Sequence, residues 1–167
     1  CSLVGSEMCI RDRNNINVTL HADWEVPEGI KEVVLDSKAK RVGHGSQIIN
    51  DVSFENGTIG FNNDAAKYVF DNRVALEICP TSNVQCGAYS SVSEHSFGEL
   101  YNAGFNVTIN TDNRLMSDIT MSEEVSNVVE SFGLGEKDIL NITKNTIDAG
   151  FVDSKLRTKL LEKLSKY

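Results

Sequence analysis

The fold is decided by three stretches of sequence, RVGHG at residues 41–45, LEICPTSN at residues 76–83 and VTINTDN at residues 107–113. Each begins as a short, strand-like run and ends abruptly in polar residues. A fourth run, at residues 16–20, ends in the same way at His21. Because the intervening segments carry apolar residues at three- and four-residue spacing, the sequence predicts strands that alternate with helices around a parallel sheet.

The predicted fold class is α/β, with four βα units followed by terminal helices. Downstream of the last strand, Thr120 and Glu123 form a predicted capping box. A final amphipathic helix is expected to close the domain with its leucines, and the predicted strands are residues 16–20, 41–43, 74–78 and 105–109. Four units are half of a (β/α)8 TIM-type barrel, which typically takes ~250 residues. A complete flavodoxin-like sheet is the alternative, although no glycine-rich phosphate loop follows any strand.

The domain is predicted to occupy residues 14–167. Residues 1–13 lack helical or strand periodicity and begin without Met, so we expect a non-native or disordered leader there. Half a barrel leaves two strand edges without neighbours. We therefore expect the isolated chain to have low solubility or to associate with itself along those edges.

Composition narrows the class of partner. The net charge is -8 and the basic residues form no cluster, which argues against binding to nucleic acid and favours a small molecule. The sequence contains no apolar run near the ~20 residues that cross a bilayer, so we expect no membrane contact. Four cysteines without a paired spacing are interpreted as free thiols, in keeping with a cytoplasmic protein. Nothing in the pattern sets an oligomeric state.

Polar side chains capable of catalysis follow each predicted strand. In a parallel barrel every strand opens its carboxyl end onto the same face, where active sites lie. There His21 offers an imidazole ligand, Asp112 offers a carboxylate ligand, and His44 is suited to orient or deprotonate a water molecule. Glu25 supplies a general acid. The set predicts metal-assisted hydrolysis, in which a bound cation lowers the pKa of water so that hydroxide is available at neutral pH.

Other polar residues near these strand ends admit more than one interpretation. Cys79 and Ser82 are conceivable nucleophiles, but neither lies in a Gly-x-Ser-x-Gly setting, and a buried small side chain is the favoured interpretation of Cys79. His95 is interpreted as a hydrogen-bonded residue at a helix entry. Glu77 either supports the site or lies in the polar interior of the barrel, and Trp24 either lines a purine pocket or packs at the rim.

The ordered series HA..E, RVGHG, LEICPTSN and VTINTDN resembles the motif set of the adenosine deaminase family, within the amidohydrolase superfamily of barrels. The resemblance covers nearly all of residues 17–151 and identifies the chain as the C-terminal half of such a barrel. It implies zinc-dependent hydrolytic deamination of adenosine to inosine and ammonia. The family carries a His-x-His pair on its first strand, so two further zinc ligands are expected from an N-terminal half.

The resemblance also implies a role for each matching residue. His21 and Asp112 correspond to zinc ligands, while His44 holds the attacking water and stabilises the tetrahedral intermediate at C6 of the purine. Glu25 gives a proton to N1. Asn113 stands where many members have an aspartate that contacts N7, and an amide can donate the same hydrogen bond.

Two features depart from the family pattern. The family writes its fifth-strand motif as HAGE, whereas here Trp24 displaces the glutamate by one step to Glu25. The His-x-His pair is absent from this sequence, so we expect this chain alone to bind zinc weakly and to have little activity. The alternatives are a deaminase of another aminopurine, adenine or a nucleotide, and a non-catalytic binding domain with a half-barrel fold.

Overall fold

The computed structural model describes residues 16–22, 29–55 and 58–167. The predicted leader at residues 1–13 lies outside these ranges. The strands are β1 (Thr19–Ala22), β2 (Arg41–His44), β3 (Val52–Glu55), β4 (Thr58–Phe61), β5 (Ala75–Ile78) and β6 (Val107–Ile109). The α-helices are α1 (Gly29–Lys31), α2 (Asp64–Asp71), α3 (Pro80–Gln85), α4 (Phe97–Asn102), α5 (Arg114–Ser117), α6 (Met121–Phe132), α7 (Glu136–Ala149) and α8 (Ser154–Leu164). A π-helical turn (Glu32–Asp36) continues α1, and 3-10 turns span Ser46–Asp51 and Val92–Glu94.

The main sheet has four parallel strands in the order β1-β2-β5-β6. This order follows the chain without reversal, each strand being added beside the one before it. A doubly wound sheet reverses its order at a switch point, so the flavodoxin-like alternative is excluded. The predicted half of a TIM-type barrel is confirmed, and within the described residues β1 and β6 each have one edge without a neighbouring strand.

The first strand begins later than predicted. It runs from Thr19 to Ala22, so His21 lies within the strand and pairs with Gly43 of β2. Ile16, the predicted start, is 56% exposed and lies outside the sheet. The apolar pattern extended the prediction too far toward the N-terminus, because pairing with β2 rather than hydrophobicity fixes where this strand begins.

The core lies between the sheet and the helices. The strands contribute Val42, Leu76, Ile78 and Val107, all of them fully buried. Phe97 of α4 is also fully buried, and its ring centroid lies 5.6 Å from that of Phe132 in α6. This packing joins α4 to α6, and α4 also contacts β6 of the sheet.

The predicted helix signals after β6 are confirmed. Thr120 and Glu123 form the capping box at the start of α6, and hydrogen bonds from Thr120 lower the pKa of the Glu123 carboxyl. Helix α8 forms as predicted and packs against α7. It buries no residue completely, and Leu156 is exposed, so within the described residues α8 covers the domain without completing its core.

An antiparallel hairpin of β3 and β4 was not predicted. Its strands pair from Val52 with Phe61 to Glu55 with Thr58, and it stands apart from the main sheet. The hairpin lies between β2 and α2 in the chain, which makes it an insertion in an otherwise regular βα unit. None of the helices in the described ranges combines the length and apolar character needed to span a membrane.

Gly45 joins β2 to the turn that follows it in a left-handed conformation, with φ of 70°. A Cβ at this position would lie 2.9 Å from Leu76 Cδ2 and 3.1 Å from Val42 Cγ1. We expect Gly45→Ala to lower the free energy of unfolding by about 2–4 kcal/mol, from backbone strain and overpacking together. Gly87→Ala is the matched control, because Gly87 has φ of 81° with no atom within 4 Å of its Cβ position. Equal losses in urea titrations of the two variants would contradict the overpacking argument.

Candidate active site

The carboxyl ends of the four parallel strands bring together three of the predicted site residues. His21 lies in β1, His44 is the last residue of β2, and Asp112 follows β6 by three residues. The parallel register aligns these ends, since Ala22 pairs with His44 and Ile78 of β5 pairs with Ile109 of β6. An open cleft of about 360 Å³ lies along this face, and its lining residues are Thr19, Leu20, His21, Gly43, His44, Glu77, Cys79, Asn110 and Asp112.

His44 lies between His21 and Asp112 and is close to both. The ring centroids of His21 and His44 lie 4.7 Å apart in an edge-to-face arrangement, and His44 Nε2 lies 3.8 Å from Asp112 Oδ2. The three differ in solvent access. The His44 side chain is 11% exposed and that of Asp112 is 42% exposed, so His44 forms the floor of the site and Asp112 its rim.

The backbone is left-handed at both His44 and Asp112, with φ of 59° and 55°. Non-glycine residues adopt this region rarely, although histidine, aspartate and asparagine do so more readily than most. His44 is the last residue of β2 and Asp112 lies three residues beyond β6, so both left-handed residues are at strand ends. A polar side chain with local strain at a strand end is typical of a functional position.

Helix α3 holds Asp112 in place. Ser82 Oγ donates a hydrogen bond of 2.7 Å to Asp112 Oδ2. The helix is itself anchored by the fully buried Glu124 of α6, whose Oε1 accepts a hydrogen bond from Thr81 N. The only role predicted for Ser82 from the sequence is that of a conceivable nucleophile. The structure gives it a different partner, a carboxylate whose orientation it fixes.

A line of buried polar contacts leads from His44 to the start of α4. Asn83 Nδ2 lies 3.3 Å from His44 Nδ1, and Asn83 Oδ1 lies 3.2 Å from His95 Nε2. Phe97 N donates to His95 Nδ1 at 3.0 Å. His95 is therefore a hydrogen-bonded residue at a helix entry, as predicted. Asn83 closes the polar PTSN stretch that follows β5, and the strand-end pattern alone assigns it no particular role.

Cys79 and Glu77 do not act as site nucleophile or site ligand in this arrangement. Cys79 is 5% exposed, and burial, reinforced by the negative charge of Asp112, raises the pKa of its thiol, which therefore remains protonated. Glu77 forms an ion pair with Arg41 at 2.9 Å and accepts a hydrogen bond from Thr19 Oγ1. Because Glu77 also lines the cleft with His21, His44 and Asp112, it lies both in the polar interior of the half-barrel and beside the site.

Of the remaining predicted site residues, Asn113 caps a helix and Glu25 lies outside the described residues. Asn113 is the N-cap of α5, and its Oδ1 accepts hydrogen bonds from the backbone N–H groups of Leu115 and Met116. Because Oδ1 is engaged in the cap, the side-chain NH₂ group of Asn113 is the part suited to donate a hydrogen bond to a substrate. Glu25, the predicted acid, and its neighbour Trp24 lie outside the described residues.

The donor set matches part of a zinc site. Imidazole nitrogen and carboxylate oxygen are zinc donors, and a hydrogen bond such as that from Ser82 is the usual support of a ligating carboxylate. Across residues 16–22, 29–55 and 58–167, no group of three or more His, Cys, Asp or Glu side chains is close enough to hold a metal. His21 and Asp112 therefore fit zinc as part of a ligand set that needs further donors.

Burial lowers the pKa of His95 to about 4, and nearby His44 adds to the effect. The unfolded chain binds a proton at this histidine below a pH of about 6.5, whereas the folded chain does not. We expect the free energy of unfolding to fall by about 3 kcal/mol as the pH drops from about 6.5 to about 4. His95→Gln, which cannot titrate, is the control in urea titrations over this window. Parallel curves for wild type and variant would contradict the assignment.

The fold and the strand-end residues together define a class: a parallel α/β half-barrel with two histidines and a carboxylate at the carboxyl ends of its strands. A family model described as adenosine deaminase matches residues 9–167. An adenosine deaminase from Mycobacterium ulcerans is 39% identical over 160 residues, which cover 92% of this chain and 42% of the relative. The chain belongs to the adenosine deaminase family, and the predicted resemblance is confirmed.

Solved structures agree with this fold. The adenine deaminase from Arthrobacter aurescens superposes with a TM-score of 0.83 at 20% identity, covering 95% of this chain and 46% of that one. The N6-methyl-AMP deaminase from Arabidopsis thaliana superposes with a TM-score of 0.75 at 27% identity, covering 95% and 43% respectively. The chain spans less than half the length of each of these relatives.

Proposed function

We propose that this chain is the C-terminal half of a zinc-dependent deaminase that converts adenosine and water to inosine and ammonia. The observation that carries the proposal is the meeting of His21, His44 and Asp112 at the carboxyl ends of three parallel strands, in a chain of the adenosine deaminase family. The free thiols of Cys79 and Cys86 are in keeping with the cytoplasmic location that we also propose.

His21 and Asp112 would hold the zinc ion, together with two histidines from an N-terminal half. When bound, zinc makes hydroxide available from water at neutral pH. Ser82 keeps Asp112 oriented through its hydrogen bond to Oδ2. His44, on the floor of the cleft, holds the attacking water at C6 and stabilises the oxyanion of the tetrahedral intermediate.

The remaining roles complete the reaction. Glu25 donates a proton to N1 of the purine as the water oxygen bonds to C6. The two protons of the water molecule balance the reaction: one returns to Glu25, and the other passes from the oxygen to the 6-amino group, which leaves as ammonia when its bond to C6 breaks. Asn113, whose Oδ1 is engaged in capping α5, donates from its amide nitrogen to N7. Together these roles would supply a proton donor at N1 and a hydrogen-bond donor at N7.

The test assembles the half-barrel with its complement. The chain is co-expressed with the N-terminal portion of the Mycobacterium ulcerans relative, and zinc content and the absorbance change from adenosine to inosine are measured. We expect both zinc and turnover in the assembled protein and little of either in the chain alone. Asp112→Asn should remove both, whereas Asp71→Asn, an exposed aspartate paired with Lys67, should remove neither. An assembled protein without zinc or turnover would favour the non-catalytic binding domain.

A second candidate is a deaminase of adenine or of an aminopurine nucleotide. It is favoured by the structural match to the Arabidopsis thaliana N6-methyl-AMP deaminase. The same assembled protein is offered adenosine, adenine and AMP in competition. A preference for AMP or adenine over adenosine would replace the first proposal with this one.

A further inference from the structure

The buried contacts behind His44 form a directed chain of hydrogen bonds that begins at a backbone amide. The N–H group of Phe97 can only donate, and it lies 3.0 Å from His95 Nδ1. Nδ1 of His95 is therefore an acceptor, and a neutral imidazole with an acceptor at Nδ1 carries its proton on Nε2. Burial, which lowers the pKa of His95 to about 4, keeps this ring neutral at physiological pH.

The donor role of His95 Nε2 determines how the side-chain amide of Asn83 is oriented. The proton on His95 Nε2 faces the side-chain amide of Asn83 at 3.2 Å, so the facing atom must be the oxygen. The same amide then presents its NH₂ group to the other side. Asn83 is 2% exposed, and its two amide atoms are thus oriented by a contact that starts from the main chain.

The orientation of the Asn83 amide in turn determines which nitrogen of His44 accepts a hydrogen bond. Asn83 Nδ2 donates to His44 Nδ1 at 3.3 Å, which makes Nδ1 of His44 an acceptor. A neutral ring at this position therefore carries its proton on Nε2. That nitrogen points to Asp112, with Nε2 and Oδ2 separated by 3.8 Å.

We propose that His95, acting through Asn83, is a positioning residue that fixes the Nε2–H tautomer of His44. The consequence for catalysis, which rests on the proposed function, is that neutral His44 offers the attacking oxygen a hydrogen-bond donor rather than an acceptor. It would then orient the oxygen and stabilise its developing negative charge in the intermediate.

His95 also has contacts outside this chain of hydrogen bonds. Its ring stacks on Tyr89 with centroids 4.0 Å apart, and Tyr89 Oη is hydrogen-bonded to Ser96 Oγ at 2.8 Å. Ser96 in turn donates to the carbonyl of Ser46, two residues beyond His44. His95 and the turn after β2 are thus linked by a second route, so a ring flip at His95 would disturb several contacts.

The test is ¹⁵N NMR of the histidine side chains in this chain at about pH 8, above the ordinary histidine pKa. In the wild type we expect a pyrrole-type signal for His44 Nε2 and a pyridine-type signal for Nδ1. Free imidazole side chains also favour the Nε2–H tautomer. The comparison with variants is therefore the test of whether Asn83 and His95 fix it. Asn83→Asp, whose carboxylate only accepts, should move the proton to Nδ1. Asn102→Asp, at an exposed asparagine, should leave His44 unchanged.

Variants of His95 test the start of the chain. His95→Phe keeps a ring beside Tyr89 but removes both nitrogens, and we expect His44 to become a mixture of tautomers. His95→Gln, which can donate to Asn83, should restore the wild-type signals. Backbone amide spectra establish that each variant is folded. A protonated Nδ1 in the wild type, or an Nε2–H tautomer that survives both Asn83→Asp and His95→Phe, would overturn the proposal.

Kinetics separate this proposal from the proposed function. In the assembled enzyme, His95→Phe should lower kcat about 10–100-fold, the usual effect of losing a supporting residue, with KM little changed and with recovery in His95→Gln. An unchanged kcat in a variant whose His44 tautomer has shifted would contradict the claim that the tautomer matters for catalysis. Failure of the assembled wild type to deaminate adenosine would reject the proposed function, while the NMR result would still decide the tautomer.

Discussion

Replacing His44 with asparagine is expected to lower kcat of the assembled enzyme about 10²–10³-fold, the range typical of losing a donor that stabilises a developing oxyanion. His44 is 9% exposed and lies beside Asp112, so water has little room to substitute for the lost ring. Asparagine is the informative replacement because, like histidine, it tolerates the left-handed backbone at this position. Turnover of adenosine at saturating substrate measures the effect.

The control for this experiment is Lys38→Asn. Lys38 also has a left-handed backbone, with φ of 51°, but it is exposed and lies three residues before β2, at the opposite end of that strand from His44. We expect this variant to retain wild-type kcat and zinc content. A comparable loss in both variants would mean that His44→Asn acts through folding, and a His44→Asn enzyme with normal kcat would refute the role assigned to the histidine.

Phe97→Ala is expected to lower the free energy of unfolding of this chain by about 3–5 kcal/mol, the range for emptying a buried aromatic site. Phe97 is fully buried between Tyr101, at a centroid distance of 6.5 Å, and Phe132, at 5.6 Å. Because domains are stable by only about 5–15 kcal/mol, the loss would remove much of the margin. Urea titration followed by circular dichroism measures it.

Phe54→Ala provides the matched comparison. Phe54 lies in β3 of the hairpin and is 53% exposed, so its truncation removes less buried surface and creates no enclosed cavity. We expect a loss of about 1 kcal/mol or less, as for most surface positions. A loss of stability for Phe97→Ala as small as that expected for Phe54→Ala would show that α4 is not part of the cooperative core.

The parallel strands and the later helices could be predicted because their signals are local. Each strand of the main sheet overlaps a short strand-like run of the sequence, and α6 begins at a capping box, which depends on residues three apart. The hairpin also has a local signal, since Asn56-Gly57 is a strong two-residue turn sequence between alternating residues. It was missed because the expectation of regular βα units assigned that segment to a connection.

The contacts that organise the site could not be predicted in the same way. Asn83 bonds His44 across 39 residues of sequence, and Ser82 bonds Asp112 across 30. No periodicity encodes which of two adjacent polar residues points to a histidine and which to a carboxylate. That choice depends on the helical turn of α3, which directs neighbouring side chains to different sides.

The left-handed backbone at His44 and Asp112 limits how this site could be re-engineered for other metals. A cysteine at either position, introduced to favour a softer ion, would add about 1–2 kcal/mol of conformational strain to the new ligand. His21, in the extended backbone of β1, would add none. Redesign toward thiolate coordination should therefore begin at the first strand, with the two strained turns left to the short polar side chains that tolerate them.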